Sequence, residues 1–152
     1  MDFQGNYLVT DEGQNCVQVF YSNGQFVRKF GSKGPGNEQL DGPFGIGVLS
    51  KDHVVVFEPH NDRLQVFDAQ GHFVRIFGVG MFGKGENNHI FVDSQDNILV
   101  ADRSNNECEC LTRKEIISSR TLVVQFWLEE FAWMVRGESL LLNPATTESQ
   151  FF

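Results

Sequence analysis

Gln18-Val19-Phe20-Tyr21-Ser22-Asn23-Gly24-Gln25-Phe26-Val27-Arg28-Lys29-Phe30-Gly31 returns 47 positions later as Gln65-Val66-Phe67-Asp68-Ala69-Gln70-Gly71-His72-Phe73-Val74-Arg75-Ile76-Phe77-Gly78, with no gap. In each copy a short alternating run meets a turn ending in glycine, and a second run carries Phe-x-Arg-x-Phe-Gly. Alternation at period two, interrupted by a glycine that permits positive φ, predicts two antiparallel strands joined by a tight hairpin. Working outward from the second copy, Phe44-Gly45-Ile46-Gly47-Val48 predicts a strand before it, and Ser50-Lys51-Asp52 a turn. Val54-Val55-Val56-Phe57 comes next, rich in the β-branched residues that suit a pleated surface. The unit is therefore four strands long.

A four-stranded unit repeating at 40 to 50 residues is the mark of a β-propeller blade, so the sequence predicts an all-β, incomplete propeller of four-stranded antiparallel blades. The 152 residues hold about three such units, whereas closed propellers need roughly four to eight. The chain is expected not to close alone. The first blade (1–31) lacks its opening strand and keeps strands near 7–10, 16–20 and 25–30. The second spans 42–78, and a partial third covers 88–111, with strands at 89–93, 97–101 and 107–111. These make a propeller segment of 1–111. Past Leu111 no hairpin glycine or Phe-x-Arg-x-Phe-Gly strand recurs, leaving 112–152 as an irregular, divergent tail. Within it, 121–128 is apolar and β-prone enough to stand in as a fourth strand.

Composition narrows the function classes. Twenty Asp and Glu against 12 Lys and Arg give a net charge of -8, the reverse of a nucleic-acid binder's overall footprint. Three cysteines without framework spacing are expected as free thiols in a reducing compartment, which points to the cytoplasm. No apolar run is long enough to span a bilayer and no charged-then-apolar leader begins the sequence, so no membrane role is expected.

The wording of Asn97-Ile98-Leu99-Val100-Ala101-Asp102-Arg103-Ser104-Asn105-Asn106, of Gly24-Gln25-Phe26-Val27-Arg28-Lys29-Phe30-Gly31 and of Gly42-Pro43-Phe44-Gly45-Ile46-Gly47-Val48 resembles the NHL repeat. Within that group it is most similar to the C-terminal propeller of tripartite-motif proteins, over about two and a half blades. The resemblance implies a module that in longer relatives comes after a RING finger, B-boxes and a coiled coil, and that recruits substrates for a ubiquitin ligase or regulates messenger RNA. Three Cys and four scattered His cannot assemble RING or B-box zinc shells here. Ligase activity would thus belong to a longer parent chain.

Other motifs favour structure over chemistry. Gly78-Val79-Gly80-Met81-Phe82-Gly83 satisfies G-x-G-x-x-G, but Lys84-Gly85-Glu86-Asn87-Asn88 cannot open the helix that would hold a pyrophosphate. No cofactor is expected. Asp11, Glu58 and Asp102 share one repeat position, where a carboxylate is expected to satisfy its own turn rather than bind metal. Cys108 and Cys110 fall in phase with Leu64 and Val66 and are expected in the core. Arg28 and Arg75, between phenylalanines, are expected to rest on aromatic rings and help blades stack. The histidines share no face with a nucleophile, so no catalytic or metal-ligating residue is assigned.

The turns after second strands, 11–15, 58–62 and 102–106, should share one side of the disc with the crossings near Lys33 and Lys84. Loops on a rigid scaffold are where recognition sits. Lys33, His60, Asn61, Arg63, Lys84 and Arg103 are the candidate contact residues. Acidic neighbours Asp11, Glu12, Glu58, Asp62 and Asp102 favour a protein partner, with RNA the alternative reading and a propeller lyase or hydrolase the third. Uncovered sheets at both ends predict self-association of the isolated chain.

Overall fold

The computed structural model describes residues 1–2, 4–82, 89–102, 107–111 and 124–126. Strands β1 (Tyr7–Asp11), β2 (Cys16–Phe20) and β3 (Phe26–Phe30) form a first antiparallel sheet in the order β1-β2-β3. A crossover pinned by a two-residue parallel pair, β4 (Ser32–Lys33) with β5 (Gln39–Leu40), leads to the second sheet. There β6 (Ile46–Val48), β7 (Val54–Glu58), β8 (Arg63–Phe67) and β9 (Phe73–Phe77) pair in sequence order. A single 3-10 turn, Ser50–Asp52, joins the first two of these. The third sheet adds β10 (His89–Val92), β11 (Ile98–Asp102), β12 (Glu107–Leu111) and β13 (Val124–Phe126). The fold is all-β, an open stack of antiparallel propeller blades.

The two copies of the repeat fold alike down to their irregularities. Tyr7 faces Phe20 across β1 and β2 as Val54 faces Phe67 across β7 and β8. Both copies shift register at one place, between Val19 and Phe20 in the first and between Val66 and Phe67 in the second. A bulge kept at the same repeat position marks it as part of the design, re-aiming the last strand of each blade. The fourth strand of the third sheet forms at 124–126, inside the β-prone stretch 121–128.

Sheet packing explains why Val54-Val55-Val56-Phe57 is apolar throughout instead of alternating. Val54 and Val56 pack toward the first blade with Val17, Leu40, Phe67, Leu8, Phe30 and Ile46. Val55 and Phe57 pack toward the third with Leu64, Val66, Phe82, Ile98 and Val100. A strand buried on both faces has no solvent side to mark with polar residues. Each crossover also sends one side chain into these seams, Leu40 at 0% exposure and Phe82 at 2%. Gly31 and Gly78, at φ 92 and 67, sit against those plugs, and a Cβ there would come within 2.7 and 2.6 Å of Leu40 and Phe82. The G-x-G-x-x-G spacing therefore serves packing as far as it is described, through Phe82.

Polar ties on the hairpin side hold the blades in order. The Arg28 guanidinium lies 5.4 Å from the Phe30 ring centroid, as stacking requires. It also donates to the carbonyls of Ala69 and Gln70 in the next blade's hairpin. Ser50 donates through both its N-H and its hydroxyl to Asp96 of the third blade. Arg75, the repeat equivalent of Arg28, is half-buried, and its Nε has no hydrogen-bond partner among the described residues.

One turn recurs on this side. Asp2-Phe3-Gln4-Gly5-Asn6, Asp68-Ala69-Gln70-Gly71-His72 and Asp93-Ser94-Gln95-Asp96-Asn97 each begin with an Asp whose carboxylate accepts the N-H groups two and four residues on. The fourth residue takes positive φ in each, at 84, 91 and 65. This is the side-chain mimicry that makes Asp a turn former. At Asp68, burial pushes the carboxyl pKa up, but hydrogen bonds from the His72 and Gln70 backbones and the His72 ring outweigh it and hold the pKa below its ordinary value. A depressed carboxylate contributes stability that is present above its unfolded pKa, near 4, and lost as pH falls through its folded value. The hairpin is expected to lose protection from amide exchange below about pH 4, and Asp68→Asn should flatten that dependence. An unchanged acid profile in the variant would mean that Asp68 does not govern it.

Candidate functional site

The crossover face is organised by a carboxylate buried at the end of β7. Glu58 is 0% exposed, and Arg63 and Gln65 on β8 beside it are 7% and 0% exposed. Arg63 Nε donates to Glu58 Oε1 at 3.0 Å and one of its terminal nitrogens to Oε2 at 3.3 Å. Gln65 Nε2 adds a bond to Oε1 at 3.0 Å, Asn61 Nδ2 one to Oε2 at 2.6 Å, and the Asp41 N-H another at 3.2 Å. A buried charge is tolerable only when paired and saturated in this way.

The same side chains reach outward and hold the crossover. Arg63 donates to the carbonyls of Pro35, Gly36 and Gln39, at 2.7, 2.9 and 2.9 Å. Gln65 donates to the Gln39 carbonyl at 3.0 Å and accepts from the Glu38 N-H at 2.9 Å. Asn61 donates to the Gly34 carbonyl at 3.1 Å. Beyond the apolar anchor of Leu40, the crossover is thus fixed by polar bonds to two strands. Nearby, Asn15 and Asp62, both at positive φ, accept the N-H groups of Gly42 and Phe82 and so tie each interblade crossover back to the blade it leaves.

This geometry divides the six sequence candidates. Lys33 is exposed on β4, and the His60 side chain is 50% exposed with Nδ1 3.4 Å from Asp41 Oδ1. Gly42 lies directly beneath that imidazole, where a Cβ would come within 2.7 Å of Nδ1. Asn61 is half-buried and committed to Glu58 and the Gly34 carbonyl. Arg63 is placed differently from the expectation of an exposed contact: every nitrogen of its guanidinium is bonded within the fold, and it works as the latch of the crossover. Its pairing with Glu58 five residues earlier explains the difference, because a basic residue opening a strand looks the same in sequence whether it faces solvent or an internal acid. Lys84 and Arg103 lie outside the described residues, as do the side chains of Asp102, Cys108 and Cys110.

Two features went unread in the sequence. Gln65 and its repeat equivalent Gln18 each bond the acid seven residues before, Gln18 Nε2 to Asp11 Oδ2 at 2.7 Å. The recurrence of an acid and a glutamine at that spacing is the signal that could have revealed them. Asp11 also accepts the Gln14 N-H at 2.9 Å, as expected of a turn carboxylate, whereas Glu58 serves mostly side chains. In the first blade Cys16 stands where the second has Arg63, so that blade carries no such latch. Burial, with Asp11 adding to it and Lys29 opposing, pushes the Cys16 thiol above its ordinary value. A buried thiol of that kind is a poor nucleophile at neutral pH. Among the described residues no group of three His, Cys, Asp or Glu could hold a metal ion.

Known proteins agree with this architecture. Over 101 residues, 65% of this chain, the sequence is 29% identical to "Protein brain tumor" of Drosophila melanogaster, covering 10% of that protein. It is 31% identical over 74 residues to "E3 ubiquitin-protein ligase NHLRC1" of Rattus norvegicus, covering 49% of this chain and 19% of the relative. These relatives are NHL-repeat proteins, matched at partial coverage. The chain spans about a tenth to a fifth of the length of the curated relatives just named. No family model matches the chain. Among solved structures, virginiamycin B lyase from Staphylococcus aureus superimposes with a TM-score of 0.61 at 13% identity, over 84% of this chain and 39% of the enzyme. A streptogramin B lyase gives 0.59 at 18% identity, over 82% and 37%. At such identities the likeness concerns the fold alone. No helix among the described residues is long and apolar enough to cross a membrane.

Proposed function

We propose that this chain is a non-catalytic interaction module that presents Lys33, His60 and the 34–41 crossover to a protein partner. In this reading it serves, in the cytoplasm, as part of the substrate-recruiting propeller of a tripartite-motif-like ubiquitin ligase. The observation that carries the proposal is the Glu58, Arg63, Gln65 and Asn61 network. It spends its hydrogen bonds on holding a solvent-facing loop in one shape, and a preorganised loop loses less entropy when it binds. Blade stacking does not require that loop to be rigid at its tip. Asp41 beside His60 keeps the face mixed in charge, which suits a protein surface better than a phosphate backbone.

The test pairs two measurements on the folded chain. Cross-linking and mass spectrometry of complexes formed in cell extract should recover a partner with the wild-type chain and lose it with Lys33→Glu combined with His60→Glu, at unchanged thermal stability. Filter binding to single-stranded RNA should show no saturable, steeply salt-dependent retention. Salt-dependent RNA binding abolished by the same two substitutions would replace the protein reading with an RNA one.

A further inference from the structure

The hairpin that joins β2 to β3 turns at Asn23-Gly24, and the sequence contains no other Asn-Gly. Every residue from Tyr21 to Phe26 is exposed. Gly24 sits at φ 84, and a Cβ there would meet nothing within 4 Å. The Asn23 carboxamide oxygen accepts the Gln25 N-H at 3.0 Å, which folds that side chain back over the Gly24 peptide. A single bond restrains the Gly24 nitrogen, its N-H donating to the Tyr21 carbonyl at 2.9 Å to close the turn. Comparable turns are sealed. Gly71, the repeat equivalent, follows Gln70, whose carboxamide is one carbon longer, and a Cβ on it would come within 2.6 Å of the Phe30 ring. At Asp41-Gly42 the glycine is buried beneath the His60 ring, and Asn15 Oδ1 holds its N-H at 2.9 Å.

We propose that Asn23 is a site of spontaneous covalent modification, its carboxamide passing through a succinimide to isoaspartate or aspartate while the blades stay folded. The Gly24 nitrogen gives its proton to hydroxide and attacks Asn23 Cγ, pushing the carbonyl electron pair onto Oδ1. As that pair returns, the Cγ-Nδ2 bond breaks and the nitrogen leaves as ammonia, taking a proton from water. Water then opens the imide at either carbonyl, and nothing is oxidised or reduced. The Gln25 N-H already points at the oxygen on which charge develops, as donors do in an oxyanion hole. The bond to the Tyr21 carbonyl must break first, and exposed loops open locally at little cost whereas core strands open only with the whole domain. Either product adds a negative charge to the hairpin. Isoaspartate also adds a carbon to the backbone between β2 and β3, which removes the geometry of the closed turn.

The full chain and a synthetic peptide of residues 18–31 are incubated together in mildly alkaline buffer and mapped by mass spectrometry. The folded chain is expected to gain one mass unit and an isoaspartyl linkage at Asn23 about tenfold more slowly than the peptide, the cost of a local opening. Asn23→Gln should abolish the gain with the circular dichroism spectrum unchanged, and urea well below the unfolding transition should leave the rate unaltered. A folded chain about a thousandfold or more slower than the peptide would place the reaction in the globally unfolded state and overturn the proposal. A rate that climbs with urea in step with unfolding overturns it in the same way. Isoaspartate forming at Asp41 as fast as at Asn23 would show that the fold does not select the site, and overturns it too.

Discussion

Replacing Arg63 with alanine is expected to destabilise the chain by about 3–5 kcal/mol, the usual cost of leaving a buried charge without its partner. The carboxylate left behind is Glu58, fully buried and reached by Asn61, Gln65 and the Asp41 N-H, which cannot balance its charge. The carbonyls of Pro35, Gly36 and Gln39 lose a donor in the same step, so the crossover should loosen as the blade weakens. Changing both residues, Arg63→Met with Glu58→Met, should recover much of the loss, since an apolar pair of similar volume carries no desolvation penalty. Urea unfolding of the three proteins gives the comparison. Amide exchange in 34–41 separates the two consequences: it should stay fast in the double variant, because methionine does not restore the carbonyl bonds. A single variant as stable as wild type would mean that the ion pair is not buried as described.

The second large effect is expected at Phe67. Its side chain is fully buried, packs against Phe30 of the preceding blade with ring centroids 5.0 Å apart, and belongs to the cluster that joins the first two blades. Phe67→Ala should cost about 3–5 kcal/mol, combining lost transfer energy with the cavity left behind. If that cost comes from blade stacking, Phe30→Ala should be strongly non-additive with it, because the two substitutions remove one shared contact. Additive losses would place the contribution of Phe67 within its own sheet.

The scaffold was legible in the sequence because a repeat states its architecture twice. Matching hairpins at Gly24 and Gly71, and the apolar run at Val54-Val55-Val56-Phe57, left few alternatives to stacked four-stranded sheets. Even the stand-in strand at 124–126 had a β-prone run to announce it. The candidate site was less legible. Arg63 looked like a surface cation, since burial depends on where the 31–42 crossover returns, and no local pattern encodes that return. Its acid partner was visible at Glu58, but carboxylates at strand ends commonly serve their own turns, as Asp11 does with the Gln14 N-H. The exposure of Lys33 and His60 was legible because solvent-facing loop residues need no tertiary contact to be placed.

Successive copies of the repeat must stack face to face for any of these positions to hold, and the contact between the Phe30 and Phe67 rings is the most direct expression of that stacking. A nuclear Overhauser measurement on the chain with both phenylalanines ring-labelled tests it. Strong cross-peaks between the two rings are expected at a centroid separation of 5.0 Å. Their absence, with β3 and β8 still showing protected strand amides, would contradict the stacking and every position assigned from it.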